Sequence, residues 1–322
     1  MLAGVDLRFP AVPLGRPHYE SVYCALVHPV EPRALWIRTT VRKRPGEQPQ
    51  GAVWVTWFDE QGVRAAKLDD LDVAPGGLGI TCGPATQGPS GLRGEVTGAL
   101  SCRWDLNFAA TAEPLRHLHP ERLYSAPLPR TKATSPLPDL DVAGFLVVDG
   151  EPVDLTGWTG MLGHNWGTEH AARWVWMRAA GLGEDGRGWL DAIVGRARVG
   201  PLLAPWTAFG TLELEGRRHR LGGLLTRGAA VDVHPGGALI TLPGKDVRVM
   251  ARATVPPGST VGSEYRDPSG HRHEVVNCSV TAWALDVAGA GRPRTFDPVR
   301  RGVLELGGDG RALDIPLQPF GD

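Results

Sequence analysis

Glycine and proline are spread along the whole chain and interrupt every stretch that could form a long helix. The 322 residues include 43 glycines and 28 prolines. Both residue types destabilise helices, because glycine is costly in backbone entropy and proline lacks a hydrogen-bond donor. Ser90–Gly98 and Pro201–Gly210 are broken in this way, and only short segments such as His117–Tyr124 have room for a helical turn. Frequent turns between short elements predict an all-β chain, folded as a barrel or a sandwich.

Strand and turn signals occur in both halves of the chain. His18–Val27 and Ala34–Lys43 are rich in β-branched and aromatic residues, which are typical of strands. Asp149-Gly150 lies between two apolar segments and is typical of the tight turn of a β-hairpin, and Glu215-Gly216 is a weaker signal of the same kind.

A proline-rich segment separates the two halves. Pro114–Pro138 shows neither helical nor strand periodicity, as expected for a connecting segment. A chain of this length exceeds the usual size of a single domain. We therefore predict an N-terminal domain of residues 1–138, ending in the connector, and a C-terminal domain of residues 139–322.

The charge and composition exclude several classes of partner. Lysine and arginine number 34 against 35 aspartates and glutamates, for a formal net charge of −1, so nothing favours nucleic acid or an anionic membrane surface. No run of about twenty apolar residues predicts a membrane-spanning segment. Met1–Pro13 lacks the pattern of an export signal, and the four cysteines are widely spaced, which favours buried, reduced thiols in the cytoplasm. We expect a hydrophobic small molecule as partner, and both a monomer and a homodimer are compatible with the sequence.

Residues 163–170 (GHNWGTEH) form the densest group of functional side chains. Together with Trp174 and Trp176, they place two histidines, an amide, a carboxylate and three indoles close together. Glycines near His164 allow a backbone bulge that directs a side chain into a site. If residues 171–178 are extended, Trp174, Trp176 and Arg178 share one face of the strand. A proton donor beside an aromatic wall can protonate an apolar substrate, because indole faces stabilise cationic charge.

Glu169 is the first candidate for a catalytic acid, because a carboxylic acid in an apolar pocket stays protonated near neutral pH. The alternative is a surface ion pair of Glu169 with Arg173 or Arg178. The further candidates for proton transfer are His164, His273, Asp267, Tyr265 and Glu20. The residues expected to bind substrate are Asn165, Trp166, Trp174, Trp176, Tyr265, Asn277 and Trp283.

The histidine spacings do not predict a metal site. His164 and His170 are six residues apart, which matches neither a helical pair nor the common hairpin pattern of ligands. His271 and His273 lie on the same face of a predicted strand, yet such a pair is more often a hydrogen-bonded pocket lining. On strict alternation, Trp283 lies on that face as well.

The segment GHNWGTEHAARWVW resembles the superfamily of hydroxyneurosporene synthases (carotenoid 1,2-hydratases), AttH-like proteins and tocopherol cyclases, which share a His-x-Trp-Gly core followed by Trp-x-Trp. Other segments resemble an actinobacterial branch of uncharacterised relatives: Pro17–Ser21, Leu128–Lys132, Tyr265–Pro268 and Val276–Ser279. The resemblance implies two consecutive lipocalin-like antiparallel β-barrel domains, with a pocket at or between them and no cofactor. Known relatives hydrate or cyclise isoprenoids, and fungal pericyclases of similar architecture fold polyenes for [4+2] cyclisation.

Three hypotheses follow for the function. The first is a hydratase or cyclase that acts on an alkene of an apolar isoprenoid or polyene, with Glu169, His164 or His273 transferring the proton. The second is a pericyclase, which would hold one conformer of its substrate and depend little on single polar residues. The third is a non-catalytic carrier of a hydrophobic ligand.

Overall fold

The protein is almost entirely β-structure. The computed structural model describes residues 4–77, 79–289, 293–297, 301–309 and 315–321. In these ranges the helical elements are two short 3-10 helices, Phe9–Ala11 and Glu121–Tyr124. The predicted all-β class is confirmed, and none of the described helices has the length and apolar character needed to cross a membrane.

The first half of the chain forms one antiparallel sheet. Its strands are β1 (His18–Val27), β2 (Ala34–Lys43), β3 (Gln50–Asp59), β4 (Gly62–Leu71), β5 (Val73–Gly76), β6 (Gly79–Cys82), β7 (Ala85–Gly88), β8 (Gly91–Val96), β9 (Cys102–Ala110), β10 (Leu115–Arg116), β11 (Thr131–Val148), β12 (Glu151–Pro152) and β13 (Thr159–Gly167). The main path of the sheet runs β4-β3-β2-β1-β13-β11-β9-β8-β7-β6-β5. β13 therefore inserts between β1 and β11, which places the residues after Gly163 at the centre of the sheet.

The second half forms another sheet. Its strands, with the separate small hairpin of β16 and β17, are β14 (Arg173–Leu182), β15 (Gly188–Arg196), β16 (Arg198–Val199), β17 (Leu202–Leu203), β18 (Thr207–Leu214), β19 (Arg217–Gly222), β20 (Ala230–His234), β21 (Gly237–Pro243), β22 (Val247–Thr254), β23 (Val261–Arg266), β24 (Arg272–Gly289), β25 (Arg294–Phe296), β26 (Arg301–Gly308) and β27 (Leu317–Gly321). The main path runs β19-β18-β15-β14-β26-β24-β22-β21-β20. Each sheet is barrel-like and encloses its own apolar core.

β1 is buried on both faces, because the two barrels pack against each other along it. Val22, Cys24 and Leu26 point into the core of the first barrel. Tyr23 and Ala25 point the other way, into an apolar cluster that includes residues of the second barrel such as Trp176 and Val303. A strand covered on both faces has few positions left for solvated side chains, which explains the apolar run Val22–Val27 and the burial of His18, Glu20 and Ser21.

Polar contacts also join the barrels. Arg178 on β14 is 2% exposed and donates hydrogen bonds to the carbonyl oxygens of Pro138 (2.6 Å) and Gly160 (2.8 Å). Ser135 on β11 donates to Asp191 Oδ2 on β15 at 2.6 Å. Because buried polar groups require partners, these bonds constrain how the two barrels dock.

The change from one sheet to the other lies later than the predicted boundary at residue 138. Part of the proline-rich connector, from Thr131 onward, is already the start of β11, and β13 also belongs to the first sheet. The sheets change between Gly167 and Arg173. The part of the connector that belongs to β11 shows no strand alternation in sequence. The reason is that β11 has two register shifts against β13, between Thr134 and Leu137 and between Leu137 and Leu140.

Both predicted hairpin turns are present. Asp149 and Gly150 have φ angles of 50° and 89°, and Glu215 and Gly216 have φ angles of 52° and 71°. Positive φ at both central residues is the conformation of a type I′ turn, which matches the twist of the flanking strands.

Candidate functional site

The two faces of β13 direct the residues of the GHNWG segment to different places. His164 points into the first barrel, where its Nε2 lies 2.7 Å from Glu20 Oε1 and the two side chains are 1% and 0% exposed. Trp166 lies on the same face, with its ring 4.7 Å from that of His164. Asn165 points to the opposite face. The alternation of β13 thus separates His164 and Trp166 from the inter-barrel side of the sheet.

Glu20 binds the N-terminal segment of the chain to the first barrel. Its carboxylate accepts hydrogen bonds from the backbone N–H groups of Arg8 (2.8 Å) and Phe9 (2.7 Å), and His18 Nε2 lies 3.1 Å from Oε2. Burial opposes ionisation, but these bonds and that of His164 outweigh it and lower the pKa of Glu20 to about 2. Glu20 is therefore a carboxylate at neutral pH and an anchor for the N-terminal segment rather than a proton donor.

Trp166 belongs to this anchoring region and not to an aromatic wall with Trp174 and Trp176. The guanidinium of Arg8 lies 5.1 Å from the centre of its ring, and Tyr124 stacks on it at 5.9 Å. The predicted grouping of Trp166 with Trp174 and Trp176 is thus not found, because Trp166 lies on the first-barrel side of β13.

Glu169 lies at the surface. Its side chain is 42% exposed and forms an ion pair with Arg130, where the sequence had suggested Arg173 or Arg178 as surface partners. The prediction that Glu169 acts as an acid depended on burial in an apolar pocket, and that burial is missing in this structure.

A buried carboxylate lies instead between the two barrels, on β26. Glu305 is 8% exposed and accepts hydrogen bonds from Trp174 Nε1 (3.0 Å) and from the hydroxyl of Tyr265 (3.4 Å). Burial raises the pKa of Glu305, although the nearby guanidinium of Arg38 and the two hydrogen bonds oppose this. A carboxyl group whose pKa is raised by burial is a candidate proton donor. We call Glu305, Trp174, Tyr265 and Arg38 the inter-barrel site.

Arg38 connects the inter-barrel site to the first barrel. It lies on β2, is 4% exposed, and donates from Nε to Ser21 Oγ at 2.8 Å. Its guanidinium carbon lies 3.8 Å from the centre of the Tyr265 ring. Residues of both barrels therefore build this site.

Three aromatic rings form one wall beside this site. Trp176 makes edge contacts with Tyr23 (5.1 Å) and Trp36 (5.8 Å), and its Nε1 donates to Asp191 at 3.0 Å. A Cβ at Gly163 would lie 2.3–2.6 Å from the Tyr23 ring. The phenol of Tyr23 occupies the space that a side chain at position 163 would need. This explains why the residue before His164 is a glycine.

His273 takes part in a chain of histidines and aspartates at the edge of the inter-barrel site. Asp267 Oδ2 lies 2.9 Å from His273 Nε2, and Asp267 Oδ1 lies 2.6 Å from His170 Nδ1. On its outer side, His273 Nδ1 lies 3.2 Å from Asp309 Oδ1, which also lies 2.8 Å from His271 Nε2. We call these five residues the histidine–aspartate chain. Donors of this kind can hold a metal ion or transfer protons.

The histidine–aspartate chain contacts the inter-barrel site through Trp174. The ring of Trp174 stacks on His170 at 5.5 Å and makes an edge contact with His273 at 5.6 Å. The same indole donates its N–H to Glu305. Tyr265 also lies next to His273, its register partner in the adjacent strand. Tyr265, His273, Trp174 and Trp176, all predicted from the sequence, are therefore brought to one face.

Asn277 lies beside Glu305, and Trp283 does not. Asn277 is the register partner of Glu305, is 5% exposed, and leaves its Nδ2 without a partner among the described residues. A bulge between Cys278 and Thr281 then shifts the register by one residue. Because a one-residue shift reverses the face of every later side chain, Trp283 lies in the core of the second barrel. Trp283 therefore lies apart from the inter-barrel site, whereas the sequence had grouped it with Asn277 and His273.

Sequence patterns identified neither Glu305 nor Arg38 as part of a site. Glu305 is the one charged residue of the segment VLELG in β26, and Arg38 follows the apolar residues Leu35, Trp36 and Ile37 in β2. An isolated charge within an apolar strand is a usable signal, since such a residue must be paired or functional when both faces of the strand are covered. Which charges converge, however, depends on docking of the two barrels.

We expect Gly307→Ala to displace the indole of Trp174. A Cβ at Gly307 would lie 2.1–2.5 Å from three ring atoms of Trp174, so the ring must move and lose its bond to Glu305. The free energy of unfolding should fall by about 1–3 kcal/mol, as for other overpacked sites, measured by urea denaturation. Gly195→Ala is the control, because its Cβ would meet only ordinary contacts at 3.7 Å. Equal stability of both variants would contradict this packing.

Solved structures with this architecture were found over nearly the whole chain. CghA, solved with Sch210972, matches with a TM-score of 0.58 at 10% identity, covering 92% of this chain and 90% of CghA. Kievitone hydratase from Nectria haematococca matches with a TM-score of 0.53 at 11% identity, covering 95% of this chain and 93% of that protein. An AttH-like protein from Nitrosomonas europaea matches with a TM-score of 0.52 at 15% identity, covering 97% and 99%.

Similarity in sequence is more limited. No protein-family model matches the chain. Two uncharacterised proteins of Mycobacterium tuberculosis, MT0513 of strain CDC 1551 and Rv0493c of strain H37Rv, are 27% identical to it over 164 residues. The match covers 50% of this chain and 48% of each relative, so the chain spans about half the length of the curated relatives it matches. The comparisons therefore show the fold, two consecutive lipocalin-like antiparallel β-barrel domains, as predicted from the sequence.

Proposed function

We propose that this protein is an enzyme that adds water to, or cyclises, an alkene of a largely apolar isoprenoid or polyene. The reaction takes place at the inter-barrel site. The observation that carries the proposal is the buried carboxyl group of Glu305, whose pKa is raised by burial and which lies among aromatic rings. Protonation of an alkene needs an acid that is still protonated near neutral pH and a surrounding that tolerates a carbocation.

In this mechanism Glu305 transfers its proton to one alkene carbon, and the positive charge develops on the other. The faces of Trp174 and Trp176 stabilise that charge through cation–π attraction. In hydration, a water oxygen bonds to the cationic carbon and the resulting oxonium loses a proton to a base; in cyclisation, a second alkene supplies the electrons and a neighbouring carbon loses the proton. Each route returns one proton to the site for every proton donated.

The histidine–aspartate chain provides the base that accepts the returned proton. Burial lowers the pKa of His170, although its bond to Asp267 opposes this, so its imidazole is neutral and can accept a proton. Its Nε2 has no hydrogen-bond partner among the described residues. Asn277, with a free Nδ2, is placed next to Glu305 and can hold the attacking water through its amide.

Three further observations support the proposal. One of the solved structures with this fold is named a hydratase, from Nectria haematococca. The GHNWGTEHAARWVW segment resembles enzymes that hydrate or cyclise isoprenoids, and in this structure its Trp174 and Trp176 lie at the inter-barrel site. Trp174 is partly exposed, so a substrate would reach Glu305 from the side of the site where Trp174 lies.

The test begins with identification of a bound molecule. The protein is purified, extracted with organic solvent and analysed by native mass spectrometry, and candidate polyenes are then incubated with it in isotopically labelled water. We expect label in the product, as hydroxyl oxygen for hydration or as a new C–H bond for cyclisation. A cyclised product without label would instead favour a pericyclase, and a ligand recovered unchanged would favour a carrier.

A further inference from the structure

Two histidines and one aspartate of the histidine–aspartate chain converge on a single point. One donor atom from each of His170, Asp267 and His273 lies within 4.8 Å of the others. The carboxylate of Asp267 offers one oxygen to each ring, at 2.6 Å from His170 Nδ1 and 2.9 Å from His273 Nε2. The three side chains are 8%, 0% and 1% exposed. Two imidazoles and a carboxylate are the donor set found in catalytic zinc sites.

The donors are held in place from outside. The backbone N–H of His170 donates to Asp267 Oδ1 at 2.9 Å, and Tyr19 stacks on the His170 ring at 4.0 Å. Asp309, on the far side of His273, accepts a hydrogen bond from Arg198 at 2.7 Å. Metal-binding histidines usually face a carboxylate with their second nitrogen, which orients the ring and raises its basicity. Asp309 stands in that relation to His273.

Both nitrogens of His273 lie near a carboxylate. Its Nε2 lies 2.9 Å from Asp267 and its Nδ1 lies 3.2 Å from Asp309, while Nδ1 has no hydrogen-bond partner among the described residues. A metal ion bound between Nε2 and Asp267 keeps Nδ1 on the side of Asp309, where an outer carboxylate orients a metal-binding histidine.

We propose that His170 Nδ1, Asp267 and His273 Nε2 bind one zinc ion, with Asp309 on the outer side of His273. A zinc-bound His170 ring carries its proton on Nε2, so zinc at this point prevents His170 from acting as the base of the proposed reaction. Zinc bound tetrahedrally at about 2.1 Å from each donor places the donors about 3.4 Å apart, so shifts of about 1 Å suffice. His170 comes from the loop after β13, whereas Asp267 and His273 come from the hairpin of β23 and β24, with Asp267 97 residues further along the chain than His170. Histidine spacing in the sequence therefore could not reveal the site, and none was predicted.

The test measures zinc binding to the whole protein without any substrate, so its outcome does not depend on the proposed reaction. The protein is stripped with a chelator, dialysed and titrated with zinc chloride by calorimetry, and Tm is recorded with and without zinc. We expect one zinc ion per chain and a higher Tm. His273→Gln and Asp267→Asn should lower the affinity by more than about 100-fold, and Asp309→Asn by about 10–100-fold, the usual effect of losing an outer partner.

His234→Gln is the matched control, because His234 is exposed and lies on β20, away from the three ligands. No saturable binding by the wild-type protein would overturn the proposal, as would binding that His273→Gln leaves unchanged. Cobalt substitution of the wild-type protein gives a second answer if a variant does not fold. Visible bands of a low-coordinate site without a thiolate charge-transfer band support the assignment, whereas a thiolate band would place the metal at a cysteine and overturn it.

Discussion

Glu305→Gln is expected to lower turnover by about 10²–10⁴-fold, the range typical of losing a general acid. Glutamine has nearly the same size and can still accept a hydrogen bond from Trp174 Nε1, now 3.0 Å from the carboxylate. Binding of an apolar substrate should therefore change little, and the loss should appear in kcat rather than in KM. The measurement is steady-state kinetics on the substrate identified by co-purification.

The pH dependence gives an independent check on Glu305. Since burial raises its pKa, the protonated form persists to higher pH than for an exposed glutamate, and activity should fall as the pH rises through that pKa. Glu95→Gln, at an exposed position of β8, is the control for a general effect of removing a carboxylate. Unchanged turnover in Glu305→Gln would exclude this residue as the acid, and a loss in Glu169→Gln alone would return that role to the residue first suggested by sequence.

Glu20→Ala is expected to destabilise the folded protein by about 3–5 kcal/mol, as for other buried ion pairs broken on one side. The substitution leaves His164, His18 and the N–H groups of Arg8 and Phe9 without their shared acceptor in a buried region. Folded domains are stable by only about 5–15 kcal/mol, so the effect should be large in urea denaturation. Glu47→Ala, at an exposed position, should change the stability by less than about 0.5 kcal/mol.

The stability contributed by Glu20 should also depend on pH with a defined sign. Its pKa is about 2 in the folded protein against 4.5 for an ordinary glutamate. The unfolded chain therefore binds a proton first, and this contribution is fully present above the unfolded pKa and is lost as the pH falls from 4.5 to about 2. The shift corresponds to roughly 3 kcal/mol. In Glu20→Ala the loss over this interval should be smaller; an identical acid profile in both proteins would contradict the assignment of the anchor.

Several features of the fold could be read from short-range patterns. The structure contains the predicted tight turns at Asp149-Gly150 and Glu215-Gly216. It also places Trp174, Trp176 and Arg178 on one face of β14, as alternation predicts. These patterns depend only on backbone geometry over a few residues, which the local sequence specifies. The two-barrel architecture came from resemblance rather than from periodicity.

Features that depend on strand pairing were not predictable in the same way. The bulge in β24 places Trp283 in a core although strict alternation put it beside Asn277. The insertion of β13 between β1 and β11 moves the change of sheet beyond Gly167, and it pairs His164 with Glu20, 144 residues away in sequence. Register and pairing are set by the total packing of both faces of a sheet, which no single segment contains.

The sequence by itself determined the β class, the turns, the facing of individual strands and a set of candidate residues that includes His273, Tyr265, Asn277, Trp174 and Trp176. The tertiary structure alone decided which of them share an environment: it left Glu169 in solvent, enclosed His164 with Glu20, and buried Glu305 between the barrels. The physical reason is that proton affinity depends on burial and on nearby charges, and both arise only when distant strands are packed together.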